Sequence, residues 1–112
     1  MQIAERQSGS VTVLDLSGKV TLGEDSTLLK DKLQSLLHQG RKNLILNLAE
    51  VSYVDSAGLG SLVSAYTTVT REGGSLKLVN VTKRLQDLLS ITKLLTVFET
   101  FDSEDEALRS FR

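Results

Sequence analysis

The sequence predicts an α/β domain: a mixed β-sheet, mostly parallel with one antiparallel hairpin, packed against about four α-helices in the order ββαβαβαβα. Three observations predict it. The chain has 112 residues, one domain's length. Short apolar runs alternate with longer segments of helical period, and strands separated by helices pair in parallel through right-handed crossovers. The first two apolar runs are separated only by Ser8-Gly9-Ser10, too short for a crossover, so they form a hairpin.

The elements follow in order. Residues 2–6 and 11–16 are the hairpin strands, the second more buried through Val11, Val13, Leu14 and Leu16. Ser17-Gly18 ends it. A polar loop runs to Asp25, and Gly23, Asp25 or Ser26 opens the next element. Leu28, Leu29, Leu33, Leu36 and Leu37 recur at helical spacing until Gly40, a good residue just past a helix end. Residues 43–48 form a nearly continuous apolar run, as in a strand covered on both faces, and Ala49-Glu50-Val51 makes its exit. Leu59, Leu62, Val63, Tyr66 and Val69 mark a second helix, closed by Arg71-Glu72-Gly73-Gly74. Residues 76–79 are a strand. Thr82 or Asn80 caps a short helix carrying Leu85, Leu88 and Leu89. Residues 94–98 read as the last strand. Ser103 with Glu106 is a capping-box pattern opening a helix with Ala107, Leu108 and Phe111.

Composition removes several function classes. A domain of this size buries roughly 60–70% of its unfolded surface, so it needs no staples. No cysteine is present, which excludes disulfides and thiolate metal sites and fits a reducing compartment. Thirteen basic against fourteen acidic residues leave a net charge of −1, without the basic field of a nucleic-acid binder. No apolar run approaches the ~20 residues of a membrane span, and the N-terminus lacks a secretory signal pattern. The expectation is a soluble, cytoplasmic domain with no nucleic-acid or membrane partner.

Motif checks narrow the chemistry further. Ser56 lacks the Gly-x-Ser-x-Gly context of a nucleophile elbow, because Val54 stands at the first glycine position. The single histidine, His38, reads as a cation in the last turn of the first helix. Gly18-Lys19 is followed by Val20 and lacks the earlier glycine of a P-loop. No His, Asp or Glu grouping has metal-ligand spacing. Glu104-Asp105-Glu106 suits an acidic first helical turn, Lys83-Arg84 a solvated surface, and Tyr53 and Tyr66 half-buried packing.

What remains is Val54-Asp55-Ser56-Ala57-Gly58-Leu59-Gly60 at the start of the second helix. One reading is purely structural. Asp55 and Ser56 are good N-caps, and the glycines let the helix lie close to the sheet. Two features point beyond that. Glycines in a helix's first turns cost about 1 kcal/mol each relative to alanine. The stretch also lies beyond the carboxyl end of a central strand, where open α/β sheets place their binding surfaces.

These seven residues resemble the phosphorylation motif of bacterial anti-sigma factor antagonists, the STAS-domain proteins. The likeness covers nearly the whole chain. Leu16-Ser17-Gly18-Lys19-Val20 fits that family's strand end and Gly-containing loop. Asn43-Leu44-Ile45-Leu46-Asn47-Leu48 fits the strand into the motif, and Gly74-Ser75-Leu76-Lys77-Leu78-Val79-Asn80-Val81 fits the strand after it. The resemblance implies a STAS-like fold and a switch protein without cofactor, metal or catalytic residue of its own. Ser56 is then the residue phosphorylated by an anti-sigma factor with ATP-dependent serine kinase activity. The unphosphorylated form binds that factor and frees a sigma factor. A PP2C-type phosphatase restores it, and the protein is a monomer or weak dimer. The implied partner surface comprises Asp55, Ser56, Ala57, Gly58, Leu59 and Gly60 with Thr21 and Glu24 of the loop after the second strand. In that loop the family often carries Gly-x-x-Asp, and Thr21 stands at the aspartate's position, with Glu24 and Asp25 slightly later.

In this reading a phosphate on Ser56 adds about −1.5 to −2 charges. The helix N-terminus attracts it and Asp55 repels it by similar amounts, so phosphorylation leaves the fold nearly unchanged and acts by blocking an interface. Gly58 and Gly60 are expected to keep the surface flat for the kinase. Two other functions stay open: an unphosphorylated STAS scaffold in another signalling, stress or transport complex, with Ser56 only a cap, and a small-molecule module or hydrolase using Ser56 and His38.

Overall fold

A computed structural model gives the chain's architecture, describing residues 1–112 except Leu22, Leu95 and Arg112 and the side chains of Glu24, Asp25 and Ser26. Its elements are β1 (Gln2–Ser8), β2 (Val11–Val20), α1 (Glu24–His38), β3 (Asn43–Val54), α2 (Ser56–Arg71), β4 (Ser75–Val79), α3 (Lys83–Ile91), β5 (Glu99–Phe101) and α4 (Glu104–Arg109). The order is the one the sequence predicts. The five strands form one sheet, β1-β2-β3-β4-β5, in which β1 and β2 are antiparallel and all later pairs are parallel.

Sequential parallel strands with crossovers of one hand put consecutive helices on the same face. Accordingly α1, α2 and α3 bury Leu29, Leu33, Leu36, Leu59, Leu62, Val69, Leu85 and Leu89 against Leu14, Leu16, Leu44, Leu46, Leu48, Leu76 and Leu78. The other face carries Val11, Val13, Ile45 and Val79, covered by Ala107 of α4 with Leu108, Phe101 and Phe111 packed around it. Lys77 lies on this second face, 7% exposed. Its ammonium donates to Ser110 Oγ at 2.6 Å and sits 4.3 Å from the Phe111 ring centre, so it ties the end of α4 to the sheet. Helix ends follow local chemistry. Arg41 N–H donates to Leu36 O and Gly40 N–H to Leu37 O, a Schellman closure in which Gly40 takes the left-handed conformation (φ 82°).

Three expectations are corrected. First, β2 does not end at Ser17-Gly18 but runs on to Val20, and β3 does not end at residue 48. β3 runs to Val54, and two shifts in its pairing with β2 give it one extra residue each, between the pairs Asp15–Asn47 and Ser17–Glu50 and between Gly18–Val51 and Lys19–Tyr53. Such bulges break the alternation that identifies a strand. Second, residues 94–98 are not the last strand. Leu94 N–H closes the end of α3 on Leu89 O, Val97 N–H turns back to Leu94 O, and Phe98 buries itself edge-on against Tyr66, with ring centres 5.5 Å apart. Leu95 lies outside the described residues. The strand that pairs with β4 is the more polar Glu99–Phe101. Third, Tyr53 is 42% exposed, whereas Tyr66 is half-buried as expected.

Candidate functional site

The site is built where β2 and β3 leave the sheet. Their register places Val20 opposite Val54, so the chain exits both strands side by side, toward Thr21 on one and Asp55 on the other. Asp55 N–H points at Val20 O, 3.4 Å away, a long last contact of the ladder. At Asp55 the backbone is still extended (φ −88°, ψ 179°), the geometry of an N-cap. Its Oδ1 accepts Gly58 N–H at 2.6 Å, and its carbonyl accepts Leu59 N–H at 2.8 Å, the first intrahelical bond. Asp55 is therefore the cap, and Ser56 is the first residue of α2.

Ser56 is exposed. Among the described residues its hydroxyl has no hydrogen-bond partner, and it stands next to the backbone N–H groups of the helix start. The rest of the motif divides by helical geometry. Gly58 and Leu59 turn inward and are buried, Leu59 at 5%. Ala57 is half-buried and Gly60 exposed, on the outer side with Ser56. Thr21 is half-buried beside them, while the side chain of Glu24 lies outside the described residues.

The two glycines have different reasons, and this corrects the expectation that both keep the surface flat. A Cβ on Gly58 would run into the carbonyl oxygen of Val20, and would stand 2.7 Å from its carbonyl carbon and 3.2 Å from Asp55 Oδ1. Only glycine lets α2 seat on the end of β2. A Cβ on Gly60 would meet nothing within 4 Å. The fold does not require glycine there. Beyond Gly60 a groove between α1 and α2 is lined by Leu29, Leu33, Ala57, Ser61, Ser64 and Thr68.

The hydrolase pairing does not assemble. α1 starts at the end of the sheet where β2 finishes and runs back for 15 residues, roughly 22 Å of helix, so His38 lies toward the opposite end of the strands from Ser56. Among the described residues no group of three His, Cys, Asp or Glu side chains could hold a metal ion, and no helix is long and apolar enough to cross a membrane.

One polar constellation escaped the sequence reading. On the α4 face, Arg6 donates to both oxygens of Asp15 at 2.6 and 2.9 Å and to Glu104 at 2.6 Å. Asn47 Nδ2 donates to Asp15 Oδ1 at 2.8 Å, and Asn80 Nδ2 donates to Asn47 Oδ1 at 2.9 Å. The row crosses β1, β2 and β3 and ends just past β4. The Arg6 bonds are the main cause holding the Asp15 carboxyl below its ordinary range, against an opposing effect of burial. Asp15 and Asn47, polar residues inside apolar strands, were the available signal. The row organises the sheet and lies apart from Ser56.

Comparison with known proteins agrees with this fold. The STAS domain family matches residues 2–107. The anti-sigma-B factor antagonist of Bacillus subtilis is 35% identical over 94 residues, 84% of each chain. Among solved structures, TM1081 of Thermotoga maritima superposes with a TM-score of 0.87 at 24% identity, covering 96% of this chain and 92% of that one. The Bacillus protein SpoIIAA in its phosphorylated form superposes with a TM-score of 0.76 at 18% identity, covering 99% of this chain and 100% of that one. The structure of the same antagonist in its unphosphorylated form gives 0.75.

Proposed function

The chain belongs to the STAS-domain family, and on that footing we propose that it is an anti-sigma factor antagonist switched by phosphorylation of Ser56. The unphosphorylated protein binds an anti-sigma factor that is also a serine kinase, and so frees a sigma factor in the cytoplasm. The observation that carries the reading is the presentation of Ser56. It is an exposed hydroxyl, without a hydrogen-bond partner among the described residues, at the first position of α2, with Asp55 occupied as the cap beneath it.

In the reaction, the γ-phosphoryl group of ATP passes to Ser56 Oγ, ADP leaves, and the hydroxyl proton goes to a base of the kinase. This chain contributes presentation, and the nucleotide and the base are the partner's. The attached group brings about −1.5 to −2 charges into a contact otherwise made over Ala57 and Gly60. Desolvating it there costs a few kcal/mol, and each ~1.4 kcal/mol is tenfold in affinity. Similar agreement of this fold with SpoIIAA in both states supports a switch that leaves the fold in place. A PP2C-type phosphatase resets the hydroxyl, and the protein acts as a monomer or weak dimer.

The test uses a kinase-type anti-sigma factor from the same genome with ATP. Wild-type protein should gain one phosphate and Ser56→Ala none, and ATP should release wild-type protein from the immobilised factor. Phosphate mainly at another residue overturns the site. Stable capture that ATP does not reverse favours an unphosphorylated scaffold instead.

A further inference from the structure

Gly58 is buried, has an ordinary helical backbone, and carries no group that could touch a partner, yet no other residue fits. What its missing side chain permits is a contact between two separate parts of the surface. The Val20 carbonyl that a Cβ would strike is the last of β2, and the same carbonyl faces Asp55 N–H. Directly after Val20 the chain enters the Thr21 loop, and two residues before Gly58 stands Ser56. Gly58 thus sets how far the start of α2 stands from the end of β2.

We propose that Gly58 is a positioning residue: its close seat on Val20 fixes the height of Ser56 relative to the Thr21 loop, so that a protein partner meets the two as one rigid surface. The part concerning the partner rests on the reading of Ser56 as the modified serine. The mechanical part does not. With a methyl at residue 58, either the helix start lifts from the sheet or the Val20 peptide rotates. Both displace Ser56 relative to Thr21, while the core beneath α2 from Leu62 onward keeps its packing. Gly60, two residues further on and open to solvent, has no such leverage.

Three variants separate this role from simple stability: Gly58→Ala, Gly60→Ala, and Val79→Ala on the opposite face of the sheet as a destabilised control. The first readout needs no partner. In ¹⁵N-labelled protein, Gly58→Ala should shift the amide resonances of Thr21, Asp55 and Ser56 together and leave Leu78 in place, whereas Gly60→Ala should shift its neighbours in α2 and not Thr21. An unmoved Thr21 amide in folded Gly58→Ala protein overturns the proposal. The second readout is steady-state phosphorylation by the anti-sigma factor kinase that modifies wild type. Gly58→Ala should lose at least tenfold in kcat, because the hydroxyl is misplaced in the complex, Gly60→Ala should raise KM with kcat kept, and Val79→Ala should keep both. Wild-type kcat in Gly58→Ala also overturns the proposal. Absence of phosphate on wild-type Ser56 instead refutes the switch reading, and the amide shifts then decide the positioning alone. If Gly58→Ala does not fold while Gly58→Ser does, the same readouts are taken on the serine variant; if neither folds, Gly58 is a folding residue and the proposal fails.

Discussion

Asp55 Oδ1 accepts the backbone N–H of Gly58 at 2.6 Å, so the carboxylate that precedes Ser56 in the chain is committed to holding the helix start together. Replacing an N-cap Asp by Ala typically costs about 1 kcal/mol. Asp55→Ala should therefore lower the melting temperature by roughly 4–8 °C, and Asp55→Asn or Asp55→Ser by less, since both still offer an oxygen to Gly58. A thermal melt of the three variants checks it. An Asp55→Ala protein as stable as wild type would show that the cap contributes nothing.

Ser56 itself makes no comparable contact, and its substitution should separate stability from binding. An acidic side chain at the first helical position gains roughly 0.3–1 kcal/mol from the helix dipole and loses a similar amount to the neighbouring Asp55. Ser56→Glu should keep the wild-type circular dichroism spectrum and a stability within about 0.5 kcal/mol, while losing capture by the anti-sigma factor. An unfolded or strongly destabilised Ser56→Glu protein would favour the reading of Ser56 as a structural element of the cap.

Gly60 offers the opposite trade. It is exposed in the interior of α2 with open space where a Cβ would go, and alanine is favoured over glycine in helices by about 1 kcal/mol. Gly60→Ala should raise stability by up to about 1 kcal/mol in denaturant titration and weaken partner binding, because the methyl stands on the surface the partner covers. If the variant is stabilised and binds unchanged, Gly60 lies outside the interface.

The legible parts of this protein were those governed by short-range chemistry. Asp55, Thr82 and Ser103 are caps by residue type, and each side chain accepts an N–H from the residue three positions on. The apolar spacing of α1 and α2 marked most of their buried faces, although Leu28 of α1 is 44% exposed. The misses came from long-range pairing. Residues 49–54 lost the strand alternation because β3 bulges twice against β2, which only the partner strand reveals. The apolar run at 94–98 imitated a strand, but Leu94, Val97 and Phe98 pack on the core from a turn, and the pairing edge of β4 takes the more polar Glu99-Thr100-Phe101 instead. The motif marked the site, yet it could not distinguish its two glycines. That difference depends on where Val20 lies, 38 residues before Gly58 in sequence and in contact with it in space.

The polar row on the α4 face predicts how stability depends on pH. Asp15 is faced by Arg6 from β1 and Asn47 from β3, and Arg6 in turn reaches Glu104 of α4. Hydrogen bonds from Arg6 lower its folded pKa, as the hydrogen bond from Lys32 lowers that of Glu5. A lowered folded pKa means that the unfolded chain binds the proton more readily. The contribution is therefore complete above the unfolded value of about 3.9 for Asp and 4.3 for Glu, and is lost as pH falls through the lower folded values. The Arg6 and Asp15 side chains are 46% and 31% exposed, so solvent screening limits the pair to about 0.2–1 kcal/mol. Asp15→Asn should be destabilised by about that much at pH 7, and the gap should close as both proteins are titrated from pH 5 toward pH 2.5. Melting curves across that range, repeated with Arg6→Met, measure it. A gap that stays constant to pH 2.5 would mean that Asp15 acts through its hydrogen-bonding shape and not through its charge.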